Sequence, residues 1–477
     1  MAGGDRAAAV TPRERLASLL HPRGVALVGA TDRSGFSCAA YANLVEAGLG
    51  ERVHLINRRG ARAHGRDSLT SCTQIGEPVD VAFLMVPQQR IPAALKDAAA
   101  AGIRNACVLS SGFADAGEAG RRAQEELVAL AQSLGVLLLG PNHLGFANIV
   151  SQIPVTAIPG LPRDGGPVAL VSQSGMGASA MLDFATMTGV GLSYVVTVGN
   201  EAMVTAGDVL DYLARDPATR AVALLLETVR HQEAFATAAL RAAAAGKAVA
   251  VLKTGRSEIS ARAAAAHSGA RAGDDIEMDA MFAGLGVISV RTIEDLVLTA
   301  GAAAQLGRLD RPGIGVVSIS GGACDMIADH AADVGATLPE LAPATRRALD
   351  GILPRFATAQ NPLDVTGAAV IDPGLFTAAM EIMSMDPAVG VMAAISSLPW
   401  QPADGPWSGQ PLADAIGAGA RLARVPVVMV PQALQPVTGR TRQVMAMAGV
   451  GHVIPGLRQA MVALAGLGWW SRATAVP

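Results

Sequence analysis

Near the start of the chain, the stretch Gly24-Val25-Ala26-Leu27-Val28-Gly29-Ala30-Thr31-Asp32-Arg33-Ser34-Gly35 predicts how the domains are built. It begins with a short apolar run that ends at a glycine, and a helical pattern follows over 36–47. A strand, a glycine-containing turn and a helix in this order direct free backbone N–H groups toward a phosphate. The stretch therefore predicts one strand of a parallel α/β sheet with an anion site at its end.

The same alternation continues through the first segment, with apolar runs at 53–57, 79–86, 105–110 and 136–139. This pattern predicts a doubly wound parallel sheet. The second run ends in Asn57-Arg58-Arg59, where a dinucleotide site normally has an acidic residue for the ribose hydroxyls. Basic residues there favour a ligand with an extra phosphate on its ribose, such as coenzyme A (CoA) or NADP, over NAD. The alternative is a packing turn with solvated arginines.

Composition limits the class of protein. Of the 477 residues, 51% are hydrophobic, 16% are charged and 3% are aromatic. This length predicts about three domains, with aliphatic cores between helices and sheets. A formal charge of −3 without a long basic run gives no indication of a nucleic-acid or membrane partner. Since no apolar run has the length of a signal peptide or membrane span, we predict a soluble, cytoplasmic protein.

Cysteine usage agrees with that prediction. Cys38, Cys72, Cys107 and Cys324 lie far apart, without the spacing of metal ligands. We interpret each as a small buried hydrophobe in a reducing compartment, and we predict no metal site.

A Pro- and Gly-rich linker at 158–167 indicates a domain boundary, and the strand predicted at 168–171 leads into Ser172-Gln173-Ser174-Gly175. Hydroxyls and a glycine at a helix N-terminus form an anion site, although serine is also an ordinary N-cap. The strand predicted at 221–226 ends at Glu227. A carboxylate in that position belongs to the functional edge of a parallel sheet.

His267 lies in Ala263-Ala264-Ala265-Ala266-His267-Ser268-Gly269-Ala270-Arg271-Ala272-Gly273, among small residues. This stretch belongs to a gap of roughly twenty residues after the strand predicted at 248–253, and such long connections are usually functional or disordered. Taken alone, His267 is typical of an ordinary surface histidine. Together with Ser172, Ser174 and Glu227, which we expect along the same sheet edge, it becomes a candidate nucleophile.

The third segment repeats the pattern, with strands predicted at 315–319, 389–395 and 425–430. Its turn Ser320-Gly321-Gly322 is similar to the turn that begins at Ser172, which indicates a degenerate internal duplication. A long loop contains Trp400 and Trp407. Whether these tryptophans fill a core or contact a partner stays open.

Taken in order, the motifs resemble those of the NDP-forming (ADP-forming) acyl-CoA synthetases, in the superfamily of succinyl-CoA ligase. The similar pieces are GVALVGATDRSG, VHLINRR, SSGFADAGEAG, GPNHLGFAN, VALVSQSG, VGNEA, LLLE, LKTGRS, AAAAHSGARAGDD, SISGGA and NPLDVTG. Each piece is short, but their order and spacing make the combination specific.

The resemblance implies three consecutive Rossmann-like or flavodoxin-like parallel-sheet domains without an ATP-grasp domain. These are a CoA-binding domain at 1–157, a flavodoxin-like ligase domain with a phosphohistidine loop at 158–308, and a second ligase-like domain at 309–477. It also implies an alpha-type subunit. This subunit would make or use an acyl-CoA thioester from a small carboxylic acid, CoA and ATP, through an acyl phosphate and a phosphohistidine at His267.

The resemblance further implies roles for individual residues. His267 and Glu227 would be catalytic, with Glu227 accepting a proton from the second ring nitrogen. Phosphate binding would fall to Ser172, Gln173, Ser174 and Gly175. The residues implied for CoA binding follow the first four strands: Gly29, Ala30, Thr31, Arg33, Ser34, Gly35, Asn57, Arg58, Arg59, Val86, Pro87, Ser111, Gly112 and Phe113.

Three departures from the family pattern affect what we expect of the site. The first turn has Arg33-Ser34-Gly35 where the family usually has Pro-Gly-Lys, and Arg58-Arg59 stand where Pro-Lys is common. No ATP-grasp region follows residue 470, so a separate ATP-grasp beta-type subunit would hold ATP or ADP and Mg²⁺, in a hetero-oligomer or a homodimer.

The alternatives to this function are a catalytically silent scaffold or regulator that binds CoA, and an NADP-dependent oxidoreductase, for which we find no catalytic residue.

Overall fold

The computed structural model describes residues 12–257, 259, 275–397 and 410–474 of the chain. His267 and the 400–407 loop lie outside the described residues. The described residues form two compact units, the first drawn from 1–182, 192–242 and 253–280 and the second from 183–191, 243–252 and 281–477. Helices and strands alternate in both units, so the predicted α/β class is confirmed.

Five strands form the first sheet: β1 (Val25–Val28), β2 (Val53–Ile56), β3 (Val81–Leu84), β4 (Asn105–Val108) and β5 (Leu137–Leu139). Their order is β2-β1-β3-β4-β5, and every pairing is parallel. The accompanying helices are α1 (Pro12–Leu20), α2 (Gly35–Glu46), α3 (Ile91–Ala100) and α4 (Gly117–Leu134). Nearly all strand residues are buried, which explains why the strands are continuous apolar runs in the sequence.

Within the first unit, the second sheet contains β6 (Gly145–Asn148), β7 (Ile153–Thr156), β8 (Gly165–Ser172), β9 (Leu192–Thr197) and β10 (Ala221–Leu226). These five run in the order β10-β8-β9-β6-β7. β8 pairs in parallel with β9 and β10, whereas β6 pairs antiparallel with β7 and β9. The sequence analysis missed the β6–β7 hairpin, because two four-residue strands containing Gly, Pro and Asn carry little hydrophobic periodicity.

The second unit contains most of β11 (Ala248–Lys253), its parallel partner β12 (Ile288–Val290), and the third sheet. The strands of the third sheet are β13 (Gly313–Ser318), β14 (Leu363–Asp364), β15 (Val389–Ile395) and β16 (Val427–Val430). They run in the order β14-β13-β15-β16, and all of them are parallel. The three sheets therefore confirm a fold dominated by parallel strands.

The remaining helices are α5 (Gly175–Thr188), α6 (Ala206–Arg215), α7 (Gln232–Ala244), α8 (Asp275–Gly284), α9 (Ile293–Leu306), α10 (Gly321–Val334), α11 (Pro343–Asp350), α12 (Ala368–Ile371), α13 (Gly374–Ser384), α14 (Gln410–Leu422), α15 (Gly439–Ala448) and α16 (Leu457–Ala473). In the part of the chain that the structure describes, no helix combines the length and apolarity needed to cross a bilayer. α16 packs against α9 and α10 and buries Trp470.

The predicted burial is confirmed for Cys72, Cys107 and Cys324, which are buried free thiols. It is wrong for Cys38, which is partly exposed. Cys38 lies in the first turn of α2, where its Sγ is 3.6 Å from the carbonyl oxygen of Asp32 rather than inside the core.

Candidate active site

Two serine side chains hold the turn between β8 and α5. Ser172 Oγ donates to the carbonyl oxygen of Ser174 at 2.7 Å and accepts from the Ser174 N–H at 3.0 Å. Ser174 Oγ in turn accepts from the N–H of Gly177 at 3.0 Å. The N–H groups of Gly175 and Met176 precede the first hydrogen bond of the helix, so this turn can bind an anion.

Gln173 lies between the two serines and connects the turn to the end of β10. Its buried side chain accepts through Oε1 from the N–H groups of Glu227, at 2.6 Å, and Thr228, at 3.1 Å. Its Nε2 donates to the carbonyl oxygen of Thr228 at 2.8 Å. These three hydrogen bonds fix the backbone that carries Glu227 beside the serine turn. Two elements that the sequence analysis expected at one edge are thus held together.

The Glu227 side chain is exposed and lines an open cleft in the first unit. The other lining residues are mostly polar: Ala114, Asp115, Asn142, Gln173, Gly199, Asn200, Thr228 and Arg230. Just after β11, the N–H of Thr254 donates to the carbonyl oxygen of Leu226 at 2.9 Å. Thr254, from which the sequence continues toward His267, therefore lies beside the end of β10, directly before Glu227. His267 itself lies outside the described residues, and its proximity to Glu227 stays a prediction.

A half-buried ion pair brackets the residues that include His267. Arg256 Nη1 and Nη2 each donate to one carboxylate oxygen of Asp279 at 2.6 Å, and Arg256 Nε donates to the carbonyl oxygen of Lys253 at 3.1 Å. Bidentate pairs between arginine and a carboxylate combine strength with fixed geometry. The pair therefore sets the position of the start of α8 relative to the end of β11.

The structure adds Glu201, which the sequence analysis quoted in a motif without giving it a role. Its side chain is only 2% exposed, and Oε2 lies 3.5 Å from Nε of Arg230. Oε1 accepts from the N–H of Ala206 at 2.7 Å. Burial raises the pKa of Glu201 to about 6, and its partners offset this only in part. The backbone of Glu201 has φ +53°, an uncommon value outside glycine that no sequence pattern here indicated.

Asn200 links the second sheet to the turn after β4. Its Nδ2 donates to Asp115 Oδ1 at 2.8 Å, and the carboxylate of Asp115 also accepts from the N–H groups of Gly112, at 2.9 Å, and Phe113, at 3.0 Å. Burial alone would raise the pKa of Asp115, but these N–H donors outweigh it and the pKa is lowered. Gly112 and Phe113 therefore contact the cleft residue Asp115 through their backbone N–H groups, while the Phe113 side chain is buried in the core.

Several backbone N–H groups of the turn after β1 already donate to acceptors within the protein. Those of Gly29 and Ala30 both donate to one carbonyl oxygen of β2, at 2.9 and 3.1 Å. The N–H of Thr31 donates to Ser37 Oγ at 3.0 Å. These three amides are therefore not available to a phosphate, although their residues were predicted to contact CoA. The N–H of Gly35, at the start of α2, precedes the first helical hydrogen bond and is available.

Three arginines follow β1 and β2. Arg33, Arg58 and Arg59 are exposed, and none of them forms an ion pair with another described residue. Three guanidinium groups at the carboxyl edge of a parallel sheet fit a ligand that carries several phosphates, which is the chemistry expected of CoA. The other predicted CoA residues also follow strands of this sheet: Ser34, Asn57, Val86, Pro87 and Ser111.

Two protein families match the chain. The family described as a CoA binding domain matches residues 23–148. The family described as the succinyl-CoA ligase like flavodoxin domain matches residues 165–303. The first match spans the five-stranded sheet with its arginines, and the second spans the serine turn, Glu227 and His267.

Two curated proteins are similar over most of the chain. The alpha subunit of acetate–CoA ligase (ADP-forming) I from Pyrococcus furiosus is 32% identical over 365 residues, which cover 74% of this chain and 77% of that protein. Trans-feruloyl-CoA synthase from an unidentified prokaryote is 31% identical over 386 residues, which cover 80% of this chain and 55% of that protein. The chain thus spans about half the length of the second relative.

A solved structure has the same fold over nearly the whole chain. It is the apo form of the dinucleotide forming acetyl-coenzyme A synthetase 1 of Ca. Korarchaeum cryptofilum, with a TM-score of 0.82 and 25% identity. The match covers 96% of this chain and 98% of that one. Because the CoA-binding and ligase-like domains occur in series and the similarity to an alpha subunit extends over both, this chain belongs to the ADP-forming acyl-CoA ligase family and is similar to its alpha subunits.

Proposed function

We propose that this chain works as the alpha-type subunit of an ADP-forming acid–CoA ligase, which makes or uses the CoA thioester of a small carboxylic acid. The observation that carries the proposal is the set of hydrogen bonds made by Gln173. They hold the Ser172–Gly175 turn and the backbone of Glu227 at one edge of the sheet, beside Thr254, from which the sequence continues toward His267. Phosphoryl transfer depends mainly on donors and charges placed in this way.

In the direction of thioester formation, a nitrogen of His267 takes the γ-phosphoryl group of ATP, and ADP leaves. The phosphoryl group then passes to a carboxylate oxygen of the acid, which gives an acyl phosphate and frees the histidine. The thiolate of CoA attacks the acyl carbon, the C–S bond forms, and the C–O bond breaks to release inorganic phosphate. Glu227 accepts the proton of the other ring nitrogen and stabilises positive charge on the ring, while the Ser174–Gly175 turn binds the phosphoryl group.

CoA binds at the carboxyl edge of the first sheet in this proposal, with Arg33, Arg58 and Arg59 near its phosphates. ATP, ADP and Mg²⁺ bind to a separate ATP-grasp beta-type subunit, in a hetero-oligomer. The division into modules at 1–157, 158–308 and 309–477 remains part of the proposal, although the β6–β7 hairpin pairs with the second sheet.

The half-reaction with an acyl phosphate tests the proposal without the partner subunit, because it needs no nucleotide site. We expect the chain to take up label from acetyl or benzoyl [³²P]phosphate in an acid-labile, alkali-stable form. His267→Asn should abolish the label. His231→Asn is the matched control, since His231 is an exposed histidine in the described part of the first unit, and it should label like the wild type.

The outcomes separate the candidate functions. Equal labelling of the wild type and His267→Asn would refute the phosphohistidine. Binding of CoA in calorimetry, with no label from either acyl phosphate, would favour the catalytically silent scaffold. Thermal stabilisation by NADP but not by CoA would refute the assignment of the ligand.

A further inference from the structure

A chain of hydrogen bonds connects the two segments of the first sheet that we assign to CoA. His64 Nδ1 lies 3.0 Å from Asp32 Oδ1, and His64 Nε2 lies 2.9 Å from Ser37 Oγ. Ser37 Oγ also accepts from the N–H of Thr31 at 3.0 Å. The turn after β1 and the start of α2 contain Thr31, Asp32 and Ser37, whereas His64 lies in the loop that follows β2.

One protonation state satisfies every member of this chain. The His64 side chain is 5% exposed, and its burial lowers the pKa despite the opposing charge of Asp32, so the ring is neutral at pH 7. With its proton on Nδ1, His64 donates to Asp32 and accepts the hydroxyl proton of Ser37 at Nε2. Ser37 Oγ remains free to accept from Thr31, and no donor lacks an acceptor.

The backbone and the ring of His64 are fixed as well. Its N–H donates to Asp32 Oδ1 at 2.7 Å, and its φ of +51° is rare for a residue with a side chain. The ring stacks on Tyr41 of α2, with centroids 4.6 Å apart and planes inclined by 13°. Contacts of the backbone N–H, of both ring nitrogens and of one ring face therefore hold His64 in a single position.

Asn57 provides a second connection between the same two segments. Its Nδ2 donates to the carbonyl oxygen of Ala30 at 2.9 Å, and its Oδ1 accepts from the N–H of Arg59 at 3.0 Å. Hydrogen bonds at Asn57 and at His64 therefore connect the backbone on either side of Arg58 and Arg59 to the first turn.

The trio Ser37, His64 and Asp32 has the order of groups found in a nucleophilic triad, but it cannot act as one. Ser37 is 0% exposed, and its Oγ already accepts one N–H. A substrate cannot reach that oxygen. The trio holds protein segments in place instead.

We propose that His64 is a positioning residue that places Arg58 and Arg59 for the ribose phosphate of CoA, so that the site selects CoA over dephospho-CoA. The inference rests on the proposed function, because it takes CoA as the ligand. In sheets of this kind, the residues that follow the second strand face the ribose, and an arginine there accommodates a phosphate on the sugar. Arg58 and Arg59 are exposed and form no ion pair with another described residue, so their charges remain available.

Calorimetric titration with CoA and with dephospho-CoA tests the proposal, since the two ligands differ by that phosphate alone. In His64→Leu, we expect the affinity for CoA to fall by about tenfold or more, the loss expected when an arginine–phosphate contact is misplaced. The affinity for dephospho-CoA should change by less than about twofold, because that ligand makes no such contact. Ser37→Ala breaks the same chain with a smaller change in volume and should show the same selective loss.

Two further variants separate positioning from general support. His64→Gln can donate to Asp32 and accept from Ser37, so it should recover most of the affinity for CoA. His54→Leu is the matched control: His54 lies on β2 and pairs with Glu77 at 3.1 Å, away from the turn. It should leave the ratio of the two affinities unchanged.

Four results would each overturn the inference. Equal losses for both ligands in His64→Leu would reduce His64 to a structural support, and unchanged affinities would remove its role. Equal binding of CoA and dephospho-CoA by the wild type would refute the selection while leaving CoA as the ligand. If the wild type binds neither ligand, the assignment of CoA is refuted, and this inference is refuted as well. Failure to form phosphohistidine, with selective CoA binding intact, would refute only the catalytic proposal.

Discussion

Two strand-to-helix turns of this chain, at 172–177 and 318–323, are built by the same serine hydrogen bonds. In the first, Ser172 Oγ donates to the carbonyl oxygen of Ser174 at 2.7 Å and accepts from its N–H at 3.0 Å. In the second, Ser318 Oγ makes the same two contacts with Ser320, at 3.1 and 3.0 Å. The internal similarity predicted from the sequence therefore extends to individual hydrogen bonds.

The two turns differ in the residue between their serines. Gln173 is polar and binds the backbone at the end of β10, whereas Ile319 packs against the apolar core of the second unit. A carboxylate also lies next to the second turn. Asp364 Oδ2 is so near that a Cβ atom added at Gly321 would lie 3.1 Å from it. The serines thus form the turn, and the residue between them determines whether the neighbouring strand end becomes part of a polar cleft.

The largest effect should follow from Gln173→Leu, which makes the first turn apolar at its centre like the second. The N–H groups of Glu227 and Thr228 lose their acceptor, which we expect to cost about 2 kcal/mol of stability. Displacement of Glu227 should reduce phosphorylation by acyl phosphate by about tenfold or more. Chemical denaturation and the labelling rate measure the two effects.

Ile319→Val is the matched change in the second turn. It removes one methylene group from a partly buried side chain and should cost about 1 kcal/mol. A larger loss of labelling in Ile319→Val than in Gln173→Leu would contradict the distinction between the two turns.

A buried carboxylate in each unit should make the stability of the protein depend on pH, and the two dependences should differ. The pKa of Glu201, in the first unit, is raised by burial from its ordinary 4.5 to about 6. Its contribution to stability is therefore complete below pH 4.5 and is lost as the pH rises through about 6. Relative to Glu201→Gln, the wild type should lose about 2 kcal/mol across this window, measured by denaturant unfolding.

Asp386, in the second unit, should show the opposite slope. Burial would raise its pKa, but the N–H groups of Ala388 and Ala342, at 2.9 and 2.8 Å, outweigh burial and lower it. Its contribution is present above the ordinary pKa of an aspartate and is lost as the pH falls through the lowered value. If Asp386→Asn and Glu201→Gln change the pH profile in the same direction, this contrast is wrong.

The smallest difference between the two turns should follow from loss of the capping serine that both of them have. Ser174→Ala removes the acceptor of the Gly177 N–H, and Ser320→Ala removes that of the Ala323 N–H. Loss of a capping serine costs about 1 kcal/mol in either place. Thermal unfolding should give similar losses for both variants, and a loss in one variant alone would show that the turns are not equivalent.

Much of the fold could be predicted from the sequence, because buried parallel strands are continuous apolar runs. The strands at Ala221–Leu226, Ala248–Lys253 and Val389–Ile395 have the predicted limits. The hairpin at 145–156 was missed because its short strands gain their stability from pairing with β9, which is distant in sequence. Local pattern carries no information about such a partner.

The candidate site was predictable to a similar degree. Ser172, Ser174 and Glu227 stood out because they follow apolar runs directly. Glu201 did not, because its raised pKa and its positive φ depend on burial beside Arg230 and on the start of α6. His64 could not be predicted either, since its partners Asp32 and Ser37 are joined to it by folding rather than by spacing.

The β6–β7 hairpin has a practical consequence for dissecting this protein. A fragment that stops near residue 157 would keep β6, with its buried Phe146, but would lose β9, the strand with which β6 pairs. The remainder would expose the free edge of β9, and an open strand edge invites pairing between molecules. Both pieces would then tend to aggregate. A cut after β5 keeps the hairpin with β9, but it removes β7 from α2, where buried Asn43 Nδ2 donates to the carbonyl oxygens of Thr156 and Ile158 at 2.9 and 2.8 Å. The CoA-binding sheet should therefore be expressed together with both the hairpin and β9.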